Sequence, residues 1–388
     1  MSESAGISRP IDVLLVAGEA SGDLHGATLA RALVSLAPGI RLAGMGGARM
    51  GAAGVRLLHG IDRAAVVGVT EVLGRLPALL RILRDLRRCL RERRPSVLVL
   101  IDFPDFNLRL ARHARTLGIP VVYFIPPQVW AWRRGRLRVM ARDVTRVLAV
   151  FPFEVGFYRE AGVPVEFVGH PILDVLPPLD REAARRGLAA AEPLIGLLPG
   201  SRVEEVRRHL PLLLHAAAAI RDRVPAARVV LALAPTIAPA VAKALVRDSR
   251  VDVRILPGEA YRVMAGADLL LVASGTATLE AACYGTPMVV VYRLSRVSYV
   301  LARLLVRGVR HISLPNIIAG RGAVPELIQG QATPARVARA GLALLADEAE
   351  RAAQQAALHD VRVRLGDAGA GERAARAVLR ESSLAVPG

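Results

Sequence analysis

Leu197-Leu198-Pro199-Gly200-Ser201-Arg202, answered by Ser274-Gly275-Thr276-Ala277-Thr278-Leu279-Glu280, decides how this chain is read. In each stretch an apolar strand breaks into small residues where a helix begins. Two such turns on one parallel sheet aim backbone N–H groups and helix N-termini at a shared crevice. That is an anion pocket, most naturally one for a diphosphate. Arg202 adds a fixed charge whose forked donors suit phosphate oxygens. Glu280 stands one helical turn further in, where a carboxylate can accept hydrogen bonds from a ribose. Gly200, Ser201, Arg202, Ser274, Gly275, Thr276 and Glu280 are therefore the expected nucleotide contacts.

Working outward, the pattern is strand, glycine turn, helix, repeated. Strands are expected at Ile11–Ala17, Val97–Ile101, Val121–Phe124, Arg146–Val150 and Val165–Val168, with a first helix from about Leu24 to Leu36. A second series follows at Leu194–Leu198, Arg228–Leu233, Val253–Leu256, Leu269–Val272 and Met288–Tyr292. Alternation of this kind predicts an α/β fold with parallel sheets and right-handed crossovers. Leu176-Pro177-Pro178 links the two series. The expected architecture is two Rossmann-like, doubly wound domains facing a central cleft: residues 1–175, residues 176–345, and a helical tail over 346–388 free to pack back on the first domain.

Composition narrows the function. At 388 residues the chain can bury two cores. Hydrophobic residues make up 53%, yet Arg, Pro or Gly interrupts each apolar run. None reaches the ~18–20 residues of a spanning helix. The segment from Met1 to Pro10 is short and polar, without the apolar core of a signal peptide, which predicts a cytoplasmic protein. Cys89 and Cys283 are too few for a disulfide framework or zinc site and are expected as small buried hydrophobes. The net charge of +18 favours an anionic partner: nucleic acid, an anionic membrane face or a phosphorylated substrate. Aromatics at 4% and no aromatic–glycine motif argue against single-stranded nucleic acid as that partner, and no nucleic-acid partner is expected.

In the first half, Gly18-Glu19-Ala20-Ser21-Gly22-Asp23 is a glycine turn between strand and helix. Its G-x-x-x-G spacing does not fit the nicotinamide fingerprint, which needs G-x-G-x-x-G. Glu19, Ser21 and Asp23 crowd polar groups at a strand end, so Gly18, Glu19, Ser21, Gly22 and Asp23 form a candidate substrate loop. Asp102 and Asp105 follow a very apolar strand. Apolar neighbours would raise the pKa of Asp102 enough for it to take a proton from a sugar hydroxyl, while Asp105 suits the N-cap of the helix near Phe106. His170 reads as structural, and no metal site is expected, for no D-x-D pair exists to hold one on a nucleotide sugar. Without a metal, Arg202 and helix dipoles would stabilise the leaving group.

Residues 66–90 carry an apolar stripe. Val66, Val67, Val69, Val72, Leu73, Leu76, Leu79 and Leu80 are candidates for membrane or acyl contact, and Leu83, Leu86 and Leu90 continue the stripe. Pro77 is expected to divide the segment into a loop and a short helix. Arg75, Arg81, Arg84, Arg87, Arg88 and Arg91 supply positive charge, and Arg303-Leu304-Leu305-Val306-Arg307 could add a second greasy basic patch.

Together, Val16–Asp23, Ile101–Asn107, Gln128-Val129-Trp130-Ala131-Trp132, Leu198–Arg202, Ser274–Glu280 and Ser313-Leu314-Pro315-Asn316 resemble the lipid-A-disaccharide synthases, in order, from about Ile11 to Gln329. The resemblance implies a GT-B glycosyltransferase that inverts its donor without a metal or other cofactor. It implies UDP-2,3-diacylglucosamine as donor and 2,3-diacylglucosamine 1-phosphate as acceptor. The β-1,6-linked disaccharide 1-phosphate and UDP would be the products. By the same resemblance the essential aspartate falls on Asp102, and Asn316, alone a mere turn former, joins the UDP contacts. The family implies a peripheral position on the cytoplasmic face of the Gram-negative inner membrane, and intertwined homodimers, on which the sequence itself is silent. His25 stands where some members carry an apolar residue.

Two other readings compete. A UDP-sugar 2-epimerase of the same fold needs no acyl surface, so the basic apolar stripe opposes it. A charge-driven nucleic-acid or membrane binder would explain +18 but leaves both anion turns and Asp102 without purpose.

Overall fold

The computed structural model describes residues 11–61, 69–127, 135–188, 193–249, 251–294 and 310–382, with backbone only for 69–76. The chain forms two compact units, Met1–Val175 with Leu365–Gly388, and Leu176–Arg364.

In the first unit, β1 (Val13–Ala17), β2 (Leu42–Gly46), β3 (Arg56–Gly60), β4 (Val97–Ile101), β5 (Val121–Phe124), β6 (Arg146–Ala149) and β7 (Val165–Phe167) form a sheet ordered β3-β2-β1-β4-β5-β6-β7. In the second, β8 (Leu194–Leu198), β9 (Arg228–Leu233), β10 (Val253–Pro257), β11 (Leu269–Ala273), β12 (Met288–Tyr292) and β13 (Glu326–Ile328) are ordered β10-β9-β8-β11-β12-β13. Every pairing is parallel. β1, β4, β8 and β11 are buried along their whole length, as strands covered on both faces must be. In each sheet the strand order reverses beside the first strand, between β1 and β4 and between β8 and β11. Ligands of doubly wound sheets bind at the carboxyl ends of such strands. The glycine turn and Asp102 leave one reversal point, and the Gly200 and Ser274 turns leave the other.

The expected strands are present. β2, β3 and β13 were not expected, because their patterns are weak. β2 reads Leu-Ala-Gly-Met-Gly and looks like a loop. Its Gly44 is dictated by space, for a Cβ there would stand 1.7 Å from the Leu15 carbonyl oxygen of β1. β3 and β13 are only partly buried edge strands.

Helix Val69–Arg93 runs continuously through Pro77, where a break was expected. Ile82, Leu83, Leu86, Cys89 and Leu90 are buried in the first unit's core and anchor it. One rung lost at a proline does not outweigh that packing. The stripe therefore divides: its later part is core, Leu79 is half-buried against that core, and Leu80 is exposed. Cys89 is buried and Cys283 half-buried, both as free thiols. No described helix is long and apolar enough to cross a membrane.

The chain returns to the first unit at Leu365. Helix Ala370–Ser382 buries Ala374, Ala375, Val378 and Leu379. Gly371 lets it approach helix Ala20–Leu36, since a Cβ there would meet Thr28 Cγ2 at 2.7 Å. Asp174 caps its start, accepting from the backbone N–H groups of Gly369 (2.6 Å) and Gly371 (2.8 Å).

Candidate functional site

At the first reversal point the glycine turn is tighter than a loop. Helix Ala20–Leu36 begins inside it, with Glu19 as an extended N-cap, so Ser21, Gly22 and Asp23 lie in its first turns. Gly18 and Gly22 permit close approach: added Cβ atoms would stand 2.3 Å from the Phe103 ring and 3.2 Å from Ala17 Cβ. Asp23 is buried, and its carboxylate accepts from the N–H groups of Gly47 (2.7 Å), Met50 (3.0 Å) and Arg49 (3.2 Å). It thus caps helix Ala48–Ala52. Glu19 and Ser21 are the exposed members of the set.

Asp102 ends β4 with φ 49° and Phe103 follows with φ 47°. Left-handed backbone is strained for such residues. Burial, reinforced by the charge of Glu19, pushes the Asp102 carboxyl up to about 6. The helix after it begins at Pro104 with Phe103 as N-cap, so Asp105 is not the cap that was expected. Asp105 instead pairs with Arg136 of helix Arg136–Asp143. The strained turn has already reversed the chain two residues earlier than a cap at Asp105 requires.

His170 is buried and holds the turn that follows it. Its Nδ1 accepts from Ile172 N–H (3.1 Å), and its ring lies 5.0 Å from Phe151 and 6.2 Å from His25. Burial pushes His170 down to about 3 and His25 to about 4, so both rings are neutral near pH 7.

In the second unit, Gly200 takes φ +121°, and a Cβ there would stand 2.5 Å from Glu205 Oε2. Helix Val203–Arg221 starts after Arg202. Glu205 closes the turn. Its Oε2 accepts from the N–H groups of Ser201 (2.9 Å) and Arg202 (3.3 Å), and its Oε1 from the Arg202 guanidinium (3.1 Å). Buried His209 donates from Nδ1 to the Pro199 carbonyl (3.1 Å) and accepts at Nε2 from Arg293 N–H (3.2 Å). The two bonds fix its neutral tautomer and staple the end of β8 to the end of β12.

The second turn joins β11 to helix Thr276–Cys283, with Ser274, Gly275 and Thr276 at or near the surface. Ser274 Oγ donates to the Ile312 carbonyl (3.3 Å). Tyr261 donates to Glu280 Oε1 (3.3 Å), while burial raises the Glu280 carboxyl. Asn316 is buried. Its Nδ2 donates to the Val324 carbonyl (2.9 Å) and to Glu326 Oε1 (2.7 Å), and its Oδ1 accepts from the N–H groups of Ala323 (2.6 Å) and Val324 (2.8 Å). Glu326 also accepts from the N–H groups of Ile312 (3.1 Å) and Ser313 (2.9 Å). The amide of Asn316 is thereby engaged inside the protein, shaping the segment beside Ser274.

Glu205, His209, Glu326 and Tyr123 (which bonds the Asp102 carbonyl) were not singled out in the sequence. Glu205 carries a legible signal, the capping-box spacing three residues after Arg202. The other three act across distant strands and leave no local pattern. Val66, Val67, Gln128–Trp132 and Arg303–Arg307 lie outside the described residues, as do the side chains of Val69, Val72, Leu73 and Leu76.

Two doubly wound α/β units, each with turns at the point where its strand order reverses, define the GT-B class. In fold the chain resembles a spinosyn rhamnosyltransferase (TM-score 0.58, 18% identity, 95% of this chain and 100% of that one). It also resembles a Neisseria meningitidis UDP-GlcNAc 2-epimerase bound to UDP-GlcNAc (TM-score 0.64, 13% identity, 95% and 99%). At such identities the likeness is one of fold. The sequence goes further: residues 13–380 match the lipid-A-disaccharide synthetase family, and the chain belongs to it. Relatives named lipid-A-disaccharide synthase are 48% identical in Anaeromyxobacter dehalogenans (95% of this chain, 96% of that protein) and 45% in Myxococcus xanthus (96% and 98%). The protein is a glycosyltransferase, and the family decides against the epimerase reading.

Proposed function

We propose that this enzyme transfers 2,3-diacylglucosamine from its UDP derivative to 2,3-diacylglucosamine 1-phosphate. In this reading residues 176–345 hold the UDP-sugar and residues 1–175 the lipid acceptor, with 346–388 as a supporting tail. The acceptor 6-hydroxyl loses its proton to the Asp102 carboxylate as its oxygen attacks the anomeric carbon. The bond from that carbon to the diphosphate oxygen breaks, and its electron pair leaves with UDP. Inversion gives the β-1,6 link, through a transition state resembling an oxocarbenium ion. Gly200, Ser201, Arg202, Ser274, Gly275 and Thr276 stabilise the departing diphosphate through N–H groups and one guanidinium. Glu280 takes the ribose, and Asn316 shapes the neighbouring segment. Gly18, Glu19, Ser21, Gly22 and Asp23 form the acceptor-side loop, in which Glu19 and Ser21 face outward.

The observation that carries the mechanism is Asp102: a carboxyl at a sheet reversal point, half-buried and held at about 6. Such a group is ionised at neutral pH yet more basic than an ordinary aspartate. Val66, Val67, Val69, Val72, Leu73, Leu76, Leu79 and Leu80 would meet the acyl chains or the inner-membrane surface. Exposed Arg81, Arg84, Arg88 and Arg91 would favour its anionic cytoplasmic face. A homodimer is compatible with this reading.

The test incubates the purified protein with UDP-diacylglucosamine, with and without the acceptor monophosphate, and follows UDP release and lipid mass. UDP and a disaccharide monophosphate should appear only with the acceptor. UDP release without it, or no disaccharide, overturns the proposal.

A further inference from the structure

The strain at Asp102 and Phe103 has a visible anchor. Tyr123, on neighbouring β5, is fully buried, and its hydroxyl donates to the Asp102 backbone carbonyl at 2.7 Å. Asn107 Nδ2 donates to the same carbonyl at 2.7 Å and lies 3.3 Å from the Ile101 carbonyl. Its own Oδ1 is buried and accepts no hydrogen bond. An orphaned buried acceptor is unfavourable, and so are two consecutive left-handed L-residues. Both defects converge on one peptide, the one that aims Asp102. Ordinary packing offers no reason to tolerate them there.

We infer that Tyr123 is a positioning residue: with Asn107 it pins the Asp102 carbonyl and so fixes where the Asp102 carboxylate points. The inference rests on the reading of Asp102 as the base. Tyr123 does not exchange the proton itself, because burial and the nearby Asp102 charge hold its phenol protonated. It is a hydrogen-bond donor throughout the working pH range. The charged groups around the pair are Glu19 at the start of helix Ala20–Leu36, Asp105 in the helix after β4, and Arg136, paired with Asp105.

Tyr123→Phe removes one oxygen and keeps the ring that fills the core. Released from one anchor, the turn relaxes and the carboxylate drifts towards water. kcat should then fall on the order of tenfold, part of the loss that a ~1 Å misplacement brings. KM for both substrates should stay within about twofold. The acidic limb of kcat/KM, near pH 6 in the parent, should move towards the ordinary aspartate range. Asn107→Leu, nearly the same shape, should move it the same way. Should Tyr123→Phe fold poorly, Asn107→Leu alone decides. An unmoved limb with parental kcat in the variants that fold overturns the inference. Asp102→Asn separates the two claims. If it retains turnover, the base reading has failed. If it is inactive while the Tyr123 and Asn107 variants behave as the parent, only the positioning claim has.

Discussion

Phe103 lies so close over Gly18 that a Cβ on Gly18 would stand 2.3 Å from its ring. The contact ties the first strand's glycine turn to the residue after Asp102, so the two motifs are one mechanical object. Gly18→Ala must push the ring aside and disturb the strained turn. Overpacking of this kind is expected to lower stability by about 1–3 kcal/mol. Turnover should fall more than that loss explains, as measured by urea unfolding beside an assay at a temperature where the variant is folded.

Under the proposal, Asp102 sets the pH behaviour. Its carboxyl is at about 6 in the folded protein and 3.8 in the reference state. As the base it must be ionised, so kcat/KM should fall below about pH 6 with unit slope. The folded state holds this proton more tightly than the unfolded chain, so this group's stability contribution diminishes as pH rises from 3.8 to about 6. Asp102→Asn should therefore be inactive yet more stable at neutral pH, by about 3 kcal/mol. Denaturation curves at pH 4.5 and 7.5 check the sign.

Arg202 already faces a carboxylate, Glu205, at 3.1 Å. Under the proposal its remaining donors meet the diphosphate. Arg202→Ala should weaken UDP binding by about 1.5–3 kcal/mol, the value of a hydrogen bond to a charged group. Titration calorimetry with UDP measures this directly, and unchanged affinity would remove the contact.

Asn316 and Glu326 form a closed buried network. Asn316→Ala strands Ala323 N–H, Val324 N–H and part of Glu326. A loss of about 2–4 kcal/mol in stability is expected, larger than a surface amide could give. UDP affinity should fall with it, through the displaced segment beside Ser274.

The helix Val69–Arg93 separates core from surface within one stripe. Leu86→Ala should cost about 2–5 kcal/mol, as for other buried leucines. Leu80, exposed at 44%, should tolerate Ser without loss of melting temperature. Under the membrane proposal, Leu80→Ser should also reduce sedimentation with anionic vesicles.

Most of the fold was legible because buried parallel strands write themselves as apolar runs. Val97–Ile101 and Leu269–Val272 could hardly be anything else. β2 was hidden because its Gly44 is required by the Leu15 carbonyl, a long-range constraint that reads locally as a loop. The turns of the candidate site were legible where polar residues follow an apolar strand, as at Arg202 and Asp102. It was opaque where a side chain serves a distant backbone: Tyr123 reads as one more apolar strand residue, and Asp23 as a candidate ligand, although three N–H groups claim it. Asp105 misled for a related reason, since a carboxylate near a helix start suggests a cap whether or not a strained turn has already taken that role.

Helix Ala370–Ser382 closes over helix Ala20–Leu36, although more than three hundred residues of chain separate them. During synthesis the first unit must therefore wait, its earliest helix uncovered, while the whole second unit emerges from the ribosome and folds. A nascent chain stalled before Leu365 should be a client for holding chaperones and a target for proteases. Helix Ala370–Ser382, translated after the second unit, acts as the clasp that ends that vulnerable interval.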